Sequence, residues 1–386
     1  MSRLSDDYVA KLATAVRGVS GSYFIPLHAP SFRGREEEYV MDCIRSTFVS
    51  SVGEYVSKFE KSICDYTGAK FAVAMSSGTC ALQLALEVAG VGHGDEVIVP
   101  ALSFVATAAS VVHAGAIPHF IDVDEHTWGM SSSFLESYLL SISVIRDGRM
   151  FNKITGRPIS AIVPMHTFGH PVDMYPLLEF ARSNGLVVIE DAAEALGSQY
   201  CGEFAGTLGD LGVYSFNGNK ILTTGSGGMI VTDNEAMYRK ALHVSTTAKV
   251  PHPYRFIHDE VGYNYRLSNL NAALGVAQME YIEQSIDRHR LLFSKYSDAL
   301  SSVDWCSCKA EPVYARSNYW LQSVVLREPN PDMVDAIVSG LNVVGIQSRP
   351  VWEPLPDLVP YMHFPKSDFR VTKSLAGSII NVPSSM

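Results

Sequence analysis

The fold class follows from one segment of the chain, Leu186-Val187-Val188-Ile189-Glu190-Asp191-Ala192-Ala193-Glu194-Ala195-Leu196-Gly197. Its continuous apolar beginning is typical of a strand that is buried on both faces, as the strands of parallel sheets are. Open α/β sheets bind ligands beyond the carboxyl ends of their strands, and this strand ends in two carboxylates, Glu190 and Asp191. Asp191 is therefore a candidate site residue. An acid that caps the following helix is an equally good reason for an aspartate here.

The rest of the chain alternates between apolar runs and helical or loop stretches. The other runs that we interpret as strands are residues 96–100, 118–123, 161–164, 213–216 and 229–232. This alternation predicts an α/β fold in which helices cover a mostly parallel central sheet. A helical pattern over residues 267–300 is interpreted as the bridge to a smaller C-terminal α/β domain. We expect an N-terminal arm and large domain in residues 1–266, and the bridging helix and small domain in residues 267–386.

A lysine has an unusual setting in the segment Gly212-Val213-Tyr214-Ser215-Phe216-Asn217-Gly218-Asn219-Lys220, which leads into Thr223-Thr224-Gly225-Ser226-Gly227-Gly228-Met229-Ile230. Lys220 lies between two short β-favouring runs, among Gly, Ser, Thr and Asn, with no carboxylate nearby. Burial of a lysine without an acidic partner favours the neutral amine, which imine chemistry requires. The plain alternative is a loop lysine with a solvated head.

A third segment, Phe71-Ala72-Val73-Ala74-Met75-Ser76-Ser77-Gly78-Thr79-Cys80-Ala81-Leu82, indicates a strand, a turn of small residues and a helix that continues to about Val88. A helix start of this kind exposes unpaired amides at the positive end of the helix dipole, so a phosphate can bind there. No Walker lysine follows, and the turn is not G-x-G-x-x-G. The P-loop and dinucleotide-binding interpretations, and with them an NAD-dependent enzyme, are therefore disfavoured.

Together the three segments provide what pyridoxal phosphate requires of a protein: an amine that bonds its aldehyde, an acid that keeps its ring nitrogen protonated and amides that bind its phosphate. In four blocks the chain resembles the sugar aminotransferases of the DegT/DnrJ/EryC1/StrS family, which are fold type I pyridoxal phosphate enzymes, aspartate aminotransferase-like in architecture. The resemblance extends from Ile25 to Pro383. The blocks are Ser76-Ser77-Gly78-Thr79, residues 190–197, residues 215–220 with their Gly-rich sequel, and Gly262-Tyr263-Asn264-Tyr265-Arg266-Leu267-Ser268-Asn269-Leu270-Asn271-Ala272-Ala273-Leu274-Gly275.

Within that family the chain is most similar to the legionaminic-acid pathway branch. This similarity is found in Pro164-Met165-His166-Thr167-Phe168-Gly169-His170-Pro171, in Asn217-Gly218-Asn219-Lys220 and in Thr246-Thr247-Ala248-Lys249-Val250-Pro251-His252-Pro253. Perosamine synthases share residues 190–197, with Glu194 where many sugar aminotransferases have Gln. A dehydratase branch of the family has His in place of the lysine, and Lys220 argues against that branch.

The resemblance implies a role for each matching residue. Lys220 would hold pyridoxal phosphate as a Schiff base and then move a proton, with pyridoxamine phosphate as the intermediate form, and Asp191 would pair with the pyridinium nitrogen. Phe104 matches the aromatic that stacks on the ring, although a core residue is an equally good interpretation. Glu194 would lie beside the ring hydroxyl or the sugar, or else on a helix surface. The residues that would bind the phosphate are Ser77, Gly78, Thr79 and Ser215, with Asn264 of the partner subunit in a homodimer with shared active sites.

The implied substrate is a nucleotide-linked sugar, which carries a negatively charged diphosphate. Because the formal net charge of the chain is −10, cations placed locally at the site must bind this diphosphate. Candidate cations are Arg33, Arg35, Lys249, Arg255, Arg316 and Arg349, although a solvated surface residue is the default interpretation of each. The loop 246–259 adds histidines and an aromatic to this set. We predict substrate contacts from His166, Asn217, Lys249, Tyr254, Arg255, His258 and Arg349.

The function that the resemblance implies is transfer of the amino group of L-glutamate to C4 of a 4-keto-6-deoxy sugar, in bacterial surface-sugar biosynthesis. We expect a UDP-2-acetamido-4-keto sugar as the acceptor, with GDP-4-keto-6-deoxymannose (the GDP-perosamine synthase reaction) second and a C3-keto sugar third. A different class stays open, namely a regulatory protein of the same fold that binds the cofactor without turnover.

Composition bears on several other classes. The net charge of −10 argues against general affinity for nucleic acid, and no run resembles a membrane span or the core of a signal peptide. The six cysteines include no C-x-x-C pair. The simplest interpretation is that they are reduced and that the protein is cytoplasmic. His166 and His170 lie at a predicted strand end with no third ligand in view, so we expect no metal site.

Overall fold

A computed structural model describes residues 3–21 and 24–385 of the 386-residue chain. Its helices are α1 Arg3–Ser20, α2 Glu36–Ser46, α3 Glu54–Thr67, α4 Gly78–Val88, α5 Val105–His113, α6 Ser132–Ile142, α7 Met174–Ser183, α8 Glu235–Ser245, α9 Asn269–Met279, α10 Ile282–Leu300, α11 Pro331–Val343 and α12 Arg370–Ala376. Single 3₁₀ turns occupy Thr167–Gly169 and Leu355–Asp357. The strands are β1 Phe71–Met75, β2 Glu96–Pro100, β3 Ile117–Ile121, β4 Ser143–Arg146, β5 Arg149–Asn152, β6 Pro158–Ile162, β7 Val187–Asp191, β8 Gln199–Tyr200, β9 Glu203–Phe204, β10 Leu211–Ser215, β11 Gly228–Thr232, β12 Lys249–Val250, β13 Ile257–His258, β14 Cys306–Cys308, β15 Ala315–Arg316, β16 Gln322–Leu326, β17 Arg349–Pro350 and β18 Ile379–Val382.

The centre of the fold is a nine-stranded sheet in the order β1-β11-β10-β7-β6-β2-β3, with β5 and β4 attached beside β6. Strands β10, β7, β6, β2 and β3 are parallel, and β11 runs antiparallel to both of its neighbours. The predicted α/β fold with a mostly parallel sheet is confirmed. Strands β2 and β11 are buried at every position, as a sheet covered on both faces requires. Because β7 and β10 are adjacent, with Asp191 paired to Val213, their carboxyl ends lie side by side.

A second, four-stranded antiparallel sheet has the order β14-β16-β18-β17. Helix α1 packs against α10 and α11 beside this sheet, and the ring of Tyr8 stacks on Trp305 with centroids 3.8 Å apart. Ile25 then forms a β-bridge with Ile346. The N-terminal helix therefore packs with the C-terminal elements. Its apolar stripe, with Leu12 and Val16 buried, shows that it needs a partner but not which one.

The helical stretch 267–300 is two helices rather than one bridging helix. Helix α9 ends at Met279 and α10 begins at Ile282, because Tyr281 leaves the helical conformation with φ −135° and ψ 24°. Helix α9 packs on α2 and α3, whereas α10 packs on α1 and β14. The break lies where the chain changes packing partners, which the uninterrupted helical pattern of the sequence does not show.

A buried histidine lies between the sheet and the C-terminal segment. The ring of His170 is 1% exposed and makes edge contacts with Trp128 and Tyr319, with centroids 5.7 Å and 5.3 Å away. Burial, with a smaller contribution from the charge of Lys309, lowers the pKa of His170 from its ordinary 6.5 to about 3. The folded protein therefore keeps this ring neutral at pH values where the unfolded chain protonates it.

We expect His170 to make the protein less stable as the pH falls from 6.5 towards 3. Over that range the His170 ring binds a proton in the unfolded state but not in the folded state. Each pH unit of acidification therefore lowers the free energy of unfolding by about 1.4 kcal/mol through this group. Urea unfolding at several pH values should show a shallower pH slope for His170→Phe than for the wild type. Equal slopes would contradict the assignment.

Candidate active site

A cavity of about 390 Å³ lies beyond the carboxyl ends of β7 and β10, where parallel sheets bind ligands. It brings together three segments that are far apart in the sequence. The predicted site residues that line it are Ser77, Gly78, Thr79, Phe104, Asp191, Glu194, Ser215, Asn217, Lys220 and Arg349. A wider, shallower groove of about 970 Å³ between α1 and α10 contains none of these residues.

Asp191 lies at the last position of β7, and its side chain is almost fully buried at the floor of the cavity. Thr107 donates a hydrogen bond of 2.6 Å to one carboxylate oxygen, and the backbone N–H of Ala193 donates to the other at 3.2 Å. Burial raises the pKa of Asp191, against the effect of the Thr107 hydrogen bond. A buried carboxylate of this kind is stabilised by a cation placed beside it.

The neighbouring carboxylate, Glu190, has a structural role. It accepts hydrogen bonds from the backbone N–H groups of Gly206, Leu208 and Gly209 at 2.6–2.8 Å, and from His166 Nε2 at 2.9 Å. Three of these bonds tie the strand to the loop before β10, and the fourth ties it to the segment after β6. Of the two acids at this strand end, the cavity therefore receives only Asp191.

Lys220 has an acidic partner, contrary to the expectation from the sequence. Its Nζ lies 3.1 Å from Glu194 Oε1 and 3.9 Å from the ring centroid of Trp320. The lysine side chain is 11% exposed and the glutamate 2%. The expectation of a lysine without a carboxylate neighbour is wrong, because the partner comes from a segment 26 residues away.

Glu194 is a cavity residue and not a helix-surface acid. Its second oxygen accepts a hydrogen bond of 2.9 Å from the backbone N–H of Phe168, a residue in the left-handed region at φ 54°. Burial raises the pKa of Glu194, whereas the charge of Lys220 and the Phe168 N–H lower it. Glu194 thus holds the lysine amine at a defined place in the cavity.

The turn before α4 has the features of a phosphate cradle. Ser77 caps the helix by accepting a hydrogen bond of 3.1 Å from the N–H of Cys80, which leaves the amides of the first turn directed at the cavity. A Cβ on Gly78 would lie 3.0 Å from the Cβ of Ser215, and one on Gly228 would lie 2.6 Å from the carbonyl carbon of Ser77. A side chain would therefore clash with the backbone at Gly228 and would be crowded at Gly78, where β11 and β10 approach the turn.

Aromatic side chains form the remaining walls. Phe104 precedes α5 and is 49% exposed, so its interpretation as a core residue is wrong. Its ring centroid is 6.2 Å from that of Trp352, and Trp352 in turn packs against Phe168 at 4.7 Å. The indole N–H of Trp320 donates to the backbone carbonyl of Asn219 at 2.6 Å.

Sequence reasoning missed several cavity residues. They are Leu27, Trp320, Trp352 and Asn381, together with Thr107, which reaches Asp191. Leu27 comes from the N-terminal segment, Asn381 from the second sheet, and the two tryptophans from segments that flank strands of that sheet. A tryptophan beside an apolar strand, as in residues 319–326, indicates a half-buried aromatic side chain but not that it lines a cavity.

His166 does not line the cavity, and the prediction that it contacts substrate is corrected. Its side chain is fully buried, with Nε2 bonded to Glu190 at 2.9 Å and Nδ1 accepting the backbone N–H of Val172 at 3.1 Å. Nδ1 is thus the unprotonated nitrogen and Nε2 carries the proton. Both ring nitrogens are occupied by the protein, which also leaves His166 without a free nitrogen for a metal.

The loop 246–260 lies outside the cavity of its own chain. It contains the predicted substrate residues Lys249, Tyr254, Arg255 and His258, all exposed, and it forms the short hairpin β12–β13. Lys249 Nζ lies over the ring of Phe256 at 4.2 Å, and His258 Nδ1 is 2.8 Å from the carbonyl oxygen of Thr247. Asn264, also exposed, follows the loop and is bridged to Thr246. The structure therefore does not bring these residues to the site of their own subunit.

One group of side chains in the described residues has ligand atoms close enough for a metal. His243, Asp259 and Glu260 place one such atom each within 4.8 Å of the others, at the base of the same hairpin. His243 Nε2 bonds Asp259 at 2.7 Å, and Lys240 Nζ bonds Glu260 at 2.5 Å. His243 and Asp259 are thus bonded to each other, and Glu260 is bonded to Lys240.

Two further observations concern the chain as a whole. Among the helices of residues 3–21 and 24–385, none is long and apolar enough to cross a membrane. All six cysteines are free thiols.

The family is decided by comparison with known proteins. The sequence profile of the DegT/DnrJ/EryC1/StrS aminotransferase family matches residues 30–386. The chain belongs to this family. It is 37% identical over 361 residues to a GDP-perosamine synthase of Caulobacter vibrioides, with 93% of each chain covered. It is 31% identical over 335 residues to a UDP-N-acetyl-3-dehydro-alpha-D-glucosamine 3-aminotransferase of Acidithiobacillus ferrooxidans, covering 86% of this chain and 84% of that one.

A solved structure shows the same fold. The aminotransferase TlmJ from Streptoalloteichus hindustanus superposes with a TM-score of 0.84 at 27% identity, covering 94% of this chain and 93% of that one. Family membership makes this protein a sugar aminotransferase that uses pyridoxal phosphate. The predicted family, enzyme class and cofactor are confirmed.

The residues of the cavity fit this cofactor. A buried carboxylate with a raised pKa, Asp191, suits a protonated ring nitrogen, and the start of α4 with Ser215 suits a phosphate. When bound, pyridoxal phosphate supplies an aldehyde that reacts with amines and an electron-poor ring that stabilises negative charge on a neighbouring carbon. The Lys220 amine, held by Glu194, is the group in the cavity that can carry the cofactor and then accept and return a proton.

Replacing Asp191 by Asn keeps the shape of the side chain and removes its charge. We expect Asp191→Asn to weaken cofactor binding roughly 30-fold, about 2 kcal/mol, because a buried cation loses its charged partner. An absorbance titration with pyridoxal phosphate measures the effect. The matched control is Asp335→Asn, an exposed carboxylate on α11, which should bind like the wild type. If both variants bound equally well, Asp191 would not face a cationic ring nitrogen.

Proposed function

We propose that this aminotransferase moves the amino group of L-glutamate to C4 of a nucleotide-linked 4-keto-6-deoxy sugar, for surface-sugar biosynthesis in the cytoplasm of a bacterium. The observation that carries the proposal is the convergence of Lys220, Asp191 and the start of α4 on one cavity. Six free cysteines agree with a reducing compartment.

In this proposal each residue of the site has one task. Lys220 carries the cofactor and moves the proton between the substrate carbon and the cofactor, and Glu194 orients its amine from 3.1 Å. Asp191 maintains the charge of the ring nitrogen, and the amides of Gly78 and Thr79 with Ser215 hold the phosphate. The exposed ring of Phe104 provides the face on which the cofactor ring stacks.

The acceptor sugar is proposed from chemistry and from relatives together. Arg349 and Asn217 line the mouth of the cavity and can donate to a diphosphate or to sugar hydroxyls. GDP-perosamine is a 4-amino-4,6-dideoxy sugar nucleotide, so the name of the relative at 37% identity supports amination at C4 and favours GDP. The resemblance to the legionaminic-acid branch favours a UDP-2-acetamido sugar. The name of the relative at 31% identity supports C3 as the further alternative.

The proposal includes a homodimer in which each subunit completes the site of the other. Exposed apolar side chains, among them Ile44, Phe48 and Val52, lie on and after α2. The loop 246–260 and Asn264 carry exposed donors that do not line their own cavity. A symmetric pair of subunits would cover the first surface and let the second reach the partner's phosphate and nucleotide.

The first test asks for turnover of the bound cofactor. L-glutamate should convert the absorbance band of the aldehyde form to that of the amine form in the wild type. Lys220→Ala should show no such conversion, because it lacks both the covalent anchor and the proton carrier. Lys153→Ala, which changes an exposed lysine after β5, is the matched control and should convert. A wild type that binds the cofactor but responds to no amino donor would indicate a regulatory protein instead.

The acceptor is identified with the enzyme in its amine form. UDP-2-acetamido-4-keto-6-deoxyhexose, GDP-4-keto-6-deoxymannose and a C3-keto sugar nucleotide are offered in turn, and the products are analysed by mass spectrometry and NMR. One of the two C4-keto sugars should restore the aldehyde form and gain an amine at C4. Restoration by the C3-keto sugar alone would replace the proposed acceptor.

Mixed dimers test whether the site is shared. If Lys220 and Asn264 of one site come from different chains, a dimer of Lys220→Ala and Asn264→Asp subunits has one intact site. Mixing two inactive variants should then recover about a quarter of the wild-type activity at random pairing. Lys220→Ala mixed with Asp191→Ala is the control, because both residues belong to the same chain's site and no dimer is intact. Absence of recovery in the first mixture would contradict shared sites.

A further inference from the structure

Asp191 is the end of a chain of four contacting side chains. Its Oδ2 lies 2.6 Å from Thr107 Oγ1, which lies 2.7 Å from Ser103 Oγ. Ser103 Oγ in turn lies 2.9 Å from Met165 Sδ. None of the four residues is more than 2% exposed. Asp191 and Met165 line the cavity but Ser103 and Thr107 do not, so the two hydroxyls reach the cavity only through their neighbours.

The chain crosses the ends of three adjacent strands, β2, β6 and β7. Ser103 follows β2, Met165 follows β6, and Asp191 ends β7 and is bridged to Met165. Thr107 lies in the first turn of α5, three residues after Phe104, whose exposed ring lines the cavity. One turn of helix therefore presents an aromatic ring to the cavity and a hydroxyl to the buried acid.

The number of hydroxyl hydrogens gives the chain a direction. Each hydroxyl has one hydrogen to donate, an ionised carboxylate has none, and two oxygens this close need a hydrogen between them. When Asp191 is ionised, Thr107 must donate to it and Ser103 must donate to Thr107. When Asp191 carries a proton on Oδ2, it can donate to Thr107, Thr107 to Ser103, and Ser103 to the Met165 sulfur.

The two directions have different effects on the acid. With Asp191 ionised, both hydroxyl hydrogens point towards the carboxylate, and hydrogen bonds of this kind stabilise the charged form. Burial raises the pKa of Asp191, and the Thr107 hydrogen bond is the largest of the influences that lower it. The hydroxyl of Thr107, supported by Ser103, thus opposes the effect of burial.

Other charged groups that face Asp191 come from neighbouring loops. Lys220, after β10, and His166, after β6, both lower the pKa of Asp191, but less than the Thr107 hydrogen bond does. Glu194, the other acid of the cavity, is paired with Lys220 at 3.1 Å. The first turn of α5 contains no ionisable side chain, so this helix acts on Asp191 through its hydroxyl.

We propose that Thr107 is a positioning residue of this enzyme: its hydroxyl, supported by Ser103, keeps Asp191 ionised and directed at the ring nitrogen of the cofactor. The pairing with the ring nitrogen rests on the proposed function, whereas the effect on the charge of Asp191 does not. An ionised Asp191 accepts the N–H of a protonated ring nitrogen. An Asp191 that keeps its proton donates to that nitrogen instead, and the uncharged ring stabilises negative charge less well.

The charge of Asp191 is measured without any activity. Infrared spectra of the full-length, cofactor-free protein at a series of pH values detect protonated carboxyl groups, and the band that Asp191→Asn lacks belongs to Asp191. Thr107→Val keeps the shape of the side chain and removes the hydroxyl. Asp191 should then keep its proton to a pH about one to two units higher, a roughly ten- to hundredfold change in the ionisation equilibrium. Thr107→Ser keeps the hydroxyl and should titrate like the wild type.

Ser103 tests whether the chain acts as a unit. Ser103→Ala should shift the titration in the same direction by less, because Thr107 still donates to the acid. Adding Ser103→Ala to Thr107→Val should cause no further shift, since Ser103 acts on Asp191 only through Thr107. Ser110→Ala is the matched control, because this hydroxyl on the same helix donates to backbone carbonyls and contacts no acid.

The effect on the cofactor is read from its ring nitrogen. With pyridoxal phosphate labelled with nitrogen-15, the bound ring nitrogen of the wild type should give the NMR shift of the protonated form. Thr107→Val should move this shift towards that of the neutral form, and Thr107→Ser should restore it. A residue that only supports packing would change the affinity and leave the shift in place.

The outcomes separate this proposal from the proposed function. An unchanged Asp191 titration in Thr107→Val would overturn the proposal, and additive shifts in the double variant would overturn the part of Ser103. A neutral ring nitrogen in the wild type would overturn the role at the cofactor. A wild type that reacts with no amino donor would refute the proposed function, and the titration of the cofactor-free protein would still decide whether Thr107 sets the charge of Asp191.

Discussion

The active site depends on the buried pair of Lys220 and Glu194 beneath Trp320. Three segments meet there: the loop after β10 provides the lysine, the loop after β7 the glutamate, and the segment before β16 the indole. An ion pair that is shielded from water is strong only when its geometry is fixed, since both charges have lost their hydration. The remaining contacts of these loops fix the geometry of this pair.

Several buried polar side chains hold the loop after β7 in place. Asn318 donates to the backbone carbonyls of Glu194 and Leu196 at 2.9 Å and 3.0 Å. Glu190 and His166 secure the end of the strand itself. The close approach of Asn318 to Gly169, where a Cβ would lie 1.9 Å from the amide oxygen, leaves no space for a side chain. Each of these groups is bonded within the protein, so a network of this kind is rigid and adds no free charge to the cavity.

Electrostatics divide the site into two regions. The cavity contains the acids Asp191 and Glu194, whose pKa values burial raises. A second, smaller cavity of about 40 Å³ also contacts Lys220 and is lined by His28, His289, Arg33 and Arg288, with no carboxylate among its lining residues. In a chain with a net charge of −10, this local arrangement of cations beside one lysine is decided by packing and not by composition.

The sequence by itself determined the fold class, the positions of the central strands, the family and the local parts of the site. Apolar periodicity and the turn residues around Ser77, Asp191 and Lys220 are short-range signals, and each element obeys them wherever it packs. The tertiary structure alone decided that Lys220 has Glu194 as its partner, that His166 is buried, that α1 packs with the second sheet and that Trp320 and Trp352 form walls of the cavity. These are pairings between segments distant in the chain, and a periodic pattern shows that a face will be buried but not against which residue.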